Sequence, residues 1–314
     1  MQNSQPSLRA SVIIVSCNSW EHLHPCLVSL EADKAAGQEA IVIDNASSDG
    51  TVEELRLQFP GVRVICNPTN VGHCRGINQG IREARGEIIV VLDADTVLGP
   101  GVVGQLVEFL DSRPDAVIVA PRMLGVNGSV QETARAFPGV VNGLFGRQSL
   151  LTRWFPQNRF SRVYLCRSRL REQDPFPVDW VSAACMAFRR TLVGRIGHWD
   201  EGFRGYWVDA DWCMRARPEG RVYCLPSACV VHHEQNRSGK KRGIRRIVAF
   251  HAGVNRFYRK HYTLGLLDPR AQAATVLLTA RAALLIAADC LLSAQVLPVA
   301  ARAVRVGAES KGKP

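Results

Sequence analysis

The sequence predicts an α/β fold organised on a mostly parallel sheet. Three observations carry that prediction. Short apolar runs rich in β-branched residues alternate with helical patterns through the first 120 residues. Helix-start signals lie between those runs. Hydrophobic residues make up 46% of a 314-residue chain, enough to bury a sizeable core.

Five runs read as strands: 11–16 (SVIIVS), 40–45 (AIVIDN), 62–66 (VRVIC), 87–93 (EIIVVLD) and 116–121 (AVIVAP). Strands alternating with helices build right-handed βαβ units, so these runs are expected to lie largely parallel. After the second run, Thr51-Val52-Glu53-Glu54 has the capping-box pattern and predicts a helix to about residue 58. Pro100 stands at the start of a helix predicted to continue to about residue 112. Ala228-Cys229-Val230-Val231 closes a further strand. Sheets of this kind bind ligands beyond the carboxyl ends of their strands, so chemistry is sought in the residues that follow each run. The chain has no internal repeat and no low-complexity linker. One domain to about residue 262, followed by a helical tail over 263–314, is the simplest division.

The net charge of +11 and the pI near 9.5 ask for an anionic partner: nucleic acid, a phosphorylated substrate or an acidic membrane surface. Two acid-free windows, 135–171 with eight arginines and 237–260 with nine Lys/Arg, account for more than the whole net charge. Ten cysteines without C-x-x-C spacing point to a reducing compartment and no structural zinc. The polar start MQNSQPSLRA lacks the features of a secretory signal. Residues 273–300 are strongly apolar, but Arg281, Asp289 and Gln295 interrupt them before an unbroken span of about 20 residues is reached. On a helix these three fall within one sector about 120° wide, with Leu284 outside it. That pattern fits a helix lying in a membrane interface and, equally, one packed on the domain.

Three segments carry candidate chemistry. Val90-Val91-Leu92-Asp93-Ala94-Asp95-Thr96 places two carboxylates at the exit of a buried strand. Mg²⁺ or Mn²⁺ typically bridges such carboxylates to substrate phosphates, although an Asp turn bonding its own backbone accounts for the triplet equally well. In Ile43-Asp44-Asn45, followed by Ser47-Ser48-Asp49-Gly50, turn chemistry explains the serines and Asp49 but not Asp44. A ribose or base could use Asp44 as a hydrogen-bond acceptor. Asn70 to Gly80 combines glycines, amides and the Arg75 guanidinium after the third strand, as a loop approaching a phosphate or base closely would. A plain helix start with Arg75 in solvent is the alternative.

The order of the segments SVIIVSCN (11–18), VIDNASSDGT (42–51), NVGHCRGINQG (70–80), VLDADT (91–96), VDWVSAACMAFRR (178–190) and GHWDEGFRGYWVDADWCMRAR (197–217) resembles the family 2 glycosyltransferases, particularly the bacterial rhamnosyltransferase-like branch. The resemblance covers roughly residues 11–262. It implies a GT-A (nucleotide-diphospho-sugar transferase) fold: a mostly parallel, Rossmann-like central sheet with helices on both faces, plus the C-terminal helical tail. The nucleotide-sugar half would span about 11–121 and the acceptor half about 122–262.

Position by position, the resemblance implies that Asp44 contacts the nucleotide base and Arg75 the nucleotide. It implies that Asp93 and Asp95 hold the divalent cation, Mg²⁺ or Mn²⁺, with Asp95 the more direct ligand. Asp209 matches the general base, with Asp211 as second choice, because Val208 stands where the family often has Glu. Chemistry independently asks for such a base, since an attacking hydroxyl has to lose its proton. A metal- or diphosphate-contacting histidine is expected at His232 or His233, although Glu234-Gln235-Asn236-Arg237 lacks the family's usual loop glycine. Trp180 is expected on the acceptor side. The implied reaction is an inverting transfer from a nucleoside-diphosphate sugar, a UDP- or dTDP-sugar, to a glycan or lipid-linked glycan in cell-envelope polysaccharide synthesis. The implied location is the cytoplasm, with an anionic membrane surface as an additional partner on its inner face, and no nucleic acid.

Competing classes fit less of the chain. A sugar-phosphate nucleotidylyltransferase needs a Gly-rich basic loop after the first strand, where this chain has Ser16-Cys17-Asn18-Ser19-Trp20. A dehydrogenase of the dinucleotide-binding type needs G-x-G-x-x-G there. A basic nucleic-acid- or membrane-binding protein leaves Asp44, Asp93, Asp95 and Asp209 without a role.

Overall fold

The computed structural model describes residues 8–33, 37–137, 154–155, 158–233, 243–265 and 267–309, with side chains to residue 290 except those of Arg159 and Phe160. In chain order the elements are β1 (Ala10–Ser16), α1 (Trp20–Ala32), β2 (Gln38–Asp44), α2 (Thr51–Gln58), β3 (Arg63–Cys66), α3 (His73–Glu83), β4 (Ile88–Asp93), β5 (Thr96–Leu98), α4 (Val102–Ser112) and β6 (Ala116–Leu124). There follow β7 (Ala134–Arg135), α5 (Arg159–Tyr164), β8 (Phe176–Val178), β9 (Trp180–Val181), β10 (Cys185–Arg189), α6 (Arg190–Ile196), α7 (Val208–Ala216), β11 (Arg221–His232), α8 (Ile244–Tyr262) and α9 (Pro269–Glu309). The loop 234–237 and much of both basic windows lie outside the described residues, as do the side chains of Leu292 and Gln295.

All five strands read from the apolar runs form, as β1, β2, β3, β4 and β6. The nine-stranded sheet has the order β3-β2-β1-β4-β10-β6-β11-β5, with β8 on β11. β3, β2, β1 and β4 are mutually parallel, and β6 is parallel to β11. β10 runs antiparallel between β4 and β6, while β5 and β8 run antiparallel to β11. The sheet is therefore mixed with a parallel majority. β10 enters its middle late in the chain, and Cys185 to Phe188 are fully buried. A strand covered on both faces shows no alternation, which is why the run does not announce itself by period.

Alternate residues of β1 face opposite layers. Val12 and Ile14 pack with Leu23 and Leu27 of α1 and Leu106 of α4. Ile13 and Val15 face α3 on the other side, where only glycine fits: a Cβ at Gly80 would lie 2.3 Å from Ile13 Cγ2, and one at Gly76 would lie 2.9 Å from Val15 Cγ2. These two glycines therefore serve close packing of helix on strand.

Both helix starts differ from the sequence reading. Thr51 is the first residue of α2, not its cap; Gly50 precedes it in the left-handed region (φ 82°), and Asp49 Oδ1 accepts from the Thr51 N–H and hydroxyl. Likewise α4 begins at Val102, behind Gly101 at φ 69°, so Pro100 lies one residue further out.

Two compact units divide the chain: Met1–Gly202 with Val208–Gln235, and Phe203–Trp207 with Asn236–Pro314. The first holds the whole sheet. In the second, α8 groups with α9, whereas the sequence reading had set the boundary at residue 262. Arg281 Nη1 of α9 lies 2.7 Å from His251 Nε2 of α8, and Thr275 donates to Asn255 Oδ1 (3.0 Å). These polar groups of α9 thus face α8, while Val276, Leu277 and Leu284 are exposed. The segment Pro269–Cys290, with mean hydropathy 1.6, is long and apolar enough by length and composition to cross a membrane.

Candidate active site

The carboxyl edge of the sheet gathers the acidic residues because the strands that carry them are in register. Asp44 pairs with Ser16 on one side of β1, and Asp93 with Val15 on the other. Asp95 sits in the turn from β4 into β5. β11 pairs antiparallel with β5 so that His232 lies opposite Thr96, and the His233 N–H donates to the Asp95 carbonyl (2.8 Å). That register brings the imidazole to the two carboxylates. His232 Nε2 stands 3.3 Å from Asp95 Oδ1 and 3.9 Å from Asp93 Oδ2, and one ligand atom from each residue lies within 4.8 Å of the others. Of the two histidines left open by the sequence, His232 faces this cluster, while the His233 ring lies near that of His22, with 6.5 Å between centroids.

Two further residues border the cluster that sequence reasoning did not single out. His73, the first residue of α3, places Nε2 3.9 Å from Asp93 Oδ1. Gln131, nearly buried, brackets His232: its Oε1 is 3.0 Å from Nδ1, and its amide N–H donates to the His232 carbonyl (2.9 Å). Burial pushes the Asp93 carboxyl above its ordinary range; His73 and His232 oppose the shift and the Asp95 charge adds to it. Such a concentration of anionic oxygen is relieved by a cation.

Asp44 is 1% exposed. Its Oδ2 accepts the Ser47 N–H (2.9 Å), whereas Oδ1 is buried without a hydrogen-bond partner. An orphaned carboxylate oxygen costs free energy unless a donor arrives, and here it sits at the ligand edge of the sheet. Arg75, on the exposed side of α3, donates to Glu201 Oε2 (2.9 Å), and Asn78 donates to Glu201 Oε1 (3.0 Å). These hydrogen bonds, Asn78's foremost, hold the Glu201 carboxyl below its usual range. Glu201 thereby tethers Arg75, another link that spacing does not reveal.

The two acidic residues of α7 have different surroundings. Asp211 is fully buried and paired with Arg215 (2.9 Å), one helical turn on. Arg215 also donates to the carbonyls of Ile196 and His198, closing off the end of α6. Asp209 is half-buried. Its pKa is raised by burial, against the opposing Ala210 N–H, the Arg135 guanidinium and the Ala183 N–H. Trp180, expected on the acceptor side, is only 3% exposed; its indole donates to the Ala136 carbonyl, and the Arg135 guanidinium lies over its ring at 4.7 Å. Arg135, whose charge acts on Asp209, thus covers the buried Trp180 ring.

The fold and this edge define a class, an α/β protein with a carboxylate–imidazole cluster of metal-binding type at the sheet edge that also carries the buried Asp44 carboxylate. Residues 11–196 match the family described as Glycosyl transferase family 2. The chain belongs to that family and is a glycosyltransferase. It is 29% identical over 243 residues to the N-acetylglucosaminyl-diphospho-decaprenol L-rhamnosyltransferase of Mycobacterium tuberculosis, covering 73% of this chain and 77% of that one. A shorter match, 32% over 115 residues, joins it to the dolichol-phosphate mannosyltransferase of Pyrococcus furiosus, over 35% of this chain and 32% of the other. Among solved structures, GalNAc-T7 with UDP, GalNAc and Mn²⁺ superposes with a TM-score of 0.58 at 18% identity, over 86% of this chain and 52% of that one. The mannosyltransferase PcManGT of Pyrobaculum calidifontis, with GDP-Man and Mn²⁺, gives 0.56 at 20% identity, over 98% and 81%. These neighbours share the GT-A fold. Family membership sets aside the nucleotidylyltransferase, dehydrogenase and binding-protein readings.

Proposed function

We propose that the protein transfers a deoxyhexose, with rhamnose the first candidate, from a nucleoside-diphosphate donor to a hydroxyl of a lipid-diphosphate-linked sugar, with inversion at the anomeric carbon. The observation that carries this reading is the convergence of Asp93, Asp95 and His232 within 4.8 Å at the same sheet edge as the orphaned Asp44 oxygen. The donor set, two carboxylates and an imidazole, suits Mn²⁺ and tolerates Mg²⁺. Such a cation, when bound, neutralises the charge that grows on a departing diphosphate.

The remaining work falls to the chain. Asp44 Oδ1 accepts a donor from the base or ribose, and Arg75, steadied by Glu201, lies against the nucleotide. Asp209 takes the proton of the acceptor hydroxyl, because it is accessible and its raised pKa makes it a stronger base than an ordinary carboxylate. Asp211, buried against Arg215, orients α7. The acceptor assignment rests on the mycobacterial relative, whose name gives a decaprenol-diphosphate-linked N-acetylglucosamine as its acceptor. The exposed Val276, Leu277 and Leu284 of α9 and the basic charge of residues 237–260 support a reading in which the enzyme works at an anionic membrane surface where such a lipid resides, on its cytoplasmic side.

The test is transfer from radiolabelled dTDP- and UDP-sugars to a synthetic N-acetylglucosaminyl-diphospho-polyprenol with Mn²⁺, scored by product and by nucleoside diphosphate released. Transfer that is abolished by chelator and restored by Mn²⁺ supports the reading. Turnover indifferent to chelator would remove the cluster from it.

A further inference from the structure

We infer that Gln131 is a positioning residue that fixes the His232 tautomer and so presents the Nε2 lone pair to the cation between Asp93 and Asp95. The inference rests on the metal reading of the cluster given above and adds the residue that makes the histidine a ligand.

The geometry determines the tautomer. The His232 carbonyl can only accept, so the Gln131 group 2.9 Å from it has to be the N–H end of the carboxamide. That orientation puts the carboxamide oxygen, also an acceptor only, 3.0 Å from Nδ1. Nδ1 therefore carries a hydrogen, and in the neutral ring the lone pair sits on Nε2, the atom 3.3 Å from Asp95 and 3.9 Å from Asp93. Gln131 is itself pinned: it is 7% exposed, its N–H donates to the Met123 carbonyl (2.8 Å), and its own carbonyl accepts from Thr133 (2.9 Å). Its two hydrogen bonds to one residue hold both the ring and the end of β11. Outer partners of this kind orient a metal-binding imidazole and raise its basicity.

The experiment measures Mn²⁺ binding by titration followed by EPR, together with the ¹⁴N modulation that a directly bound imidazole imposes on the Mn²⁺ signal. The proteins compared are the full chain and its Gln131→Met, Gln131→Glu and His232→Ala variants, each checked for folding by circular dichroism. Gln131→Met keeps the volume and removes both hydrogen bonds. It is expected to weaken Mn²⁺ binding by about 10–100-fold and to lose the ¹⁴N modulation. Gln131→Glu keeps an acceptor for Nδ1–H and is expected to retain the modulation with an affinity no more than a few-fold below that of the unaltered protein. Unchanged affinity and modulation in Gln131→Met overturns the inference while leaving the metal site standing. Should Gln131→Met fail to fold, loss of the modulation in Gln131→Glu overturns it by itself. If His232→Ala binds Mn²⁺ as the unaltered protein does, the metal reading of His232 falls and the inference with it.

Discussion

Exchanging each acidic residue of α7 for its amide separates base from scaffold. Asp209→Asn removes the proton acceptor while keeping shape, and general-base catalysis is typically worth about 10²–10⁴-fold, or about 2.7–5.4 kcal/mol of barrier. Turnover is expected to fall by that factor while donor binding persists. Because burial raises the Asp209 pKa, the charged form is disfavoured in the folded protein, and its removal is expected to leave stability unchanged or higher at pH 7. Asp211→Asn does the reverse. It leaves Arg215 without its buried partner, and breaking such a pair costs about 3–5 kcal/mol. The lower end applies, since Arg215 is 18% exposed by side chain and keeps the Ile196 and His198 carbonyls. About 3 kcal/mol lowers Tm by about 6–12 °C for a unit of this size. Calorimetry and single-turnover transfer on the same preparations give both readouts. A variant Asp211→Asn with unaltered Tm and abolished turnover, or Asp209→Asn with near-normal turnover, would refute the division of roles.

The acid limb of the kcat/KM profile is expected above the ordinary carboxylate range near 4, because Asp209 acts only when ionised and burial raises its pKa; a limb at or below about 4 would exclude it. The linked stability has the opposite sign. For a raised carboxyl it is fully present below the unfolded pKa and lost as pH rises through the folded value, so the advantage of Asp209→Asn in urea melts is expected to grow from pH 4 to pH 7. Gly80→Ala is expected to destabilise by about 1–3 kcal/mol, since its Cβ would meet Ile13 Cγ2 at 2.3 Å and overpacking outweighs the gain in helix propensity. Gly104→Ala in α4, where a Cβ meets nothing within 4 Å, is expected to stabilise by roughly 1 kcal/mol; denaturant midpoints of the two variants test the contrast.

Much of the fold was legible because it is local. The five strands are runs rich in β-branched residues, largely buried except for the edge strand β3, and their alternation with helices leaves few ways to arrange them. β10 was not legible as the strand that divides β4 from β6, since four consecutive buried residues carry no period and only long-range pairing gives them a place. The helix starts went astray for a different reason. Thr51 and Pro100 have the chemistry of helix starts, but glycines in the left-handed region at 50 and 101 set where the turns begin.

The sequence by itself determined five of the strands, the residues at their carboxyl ends, and the set Asp44, Asp93, Asp95 and Asp209 as candidates for chemistry, because strand pattern and side-chain chemistry are properties of neighbouring residues. Only the tertiary structure decided which histidine meets the carboxylates, that Gln131 brackets it, that Glu201 tethers Arg75, and that Asp211 is spent on Arg215. The first three of these depend on strand register and helix packing between residues far apart in the chain. The last depends on burial, which separates two aspartates two residues apart although their type and spacing do not.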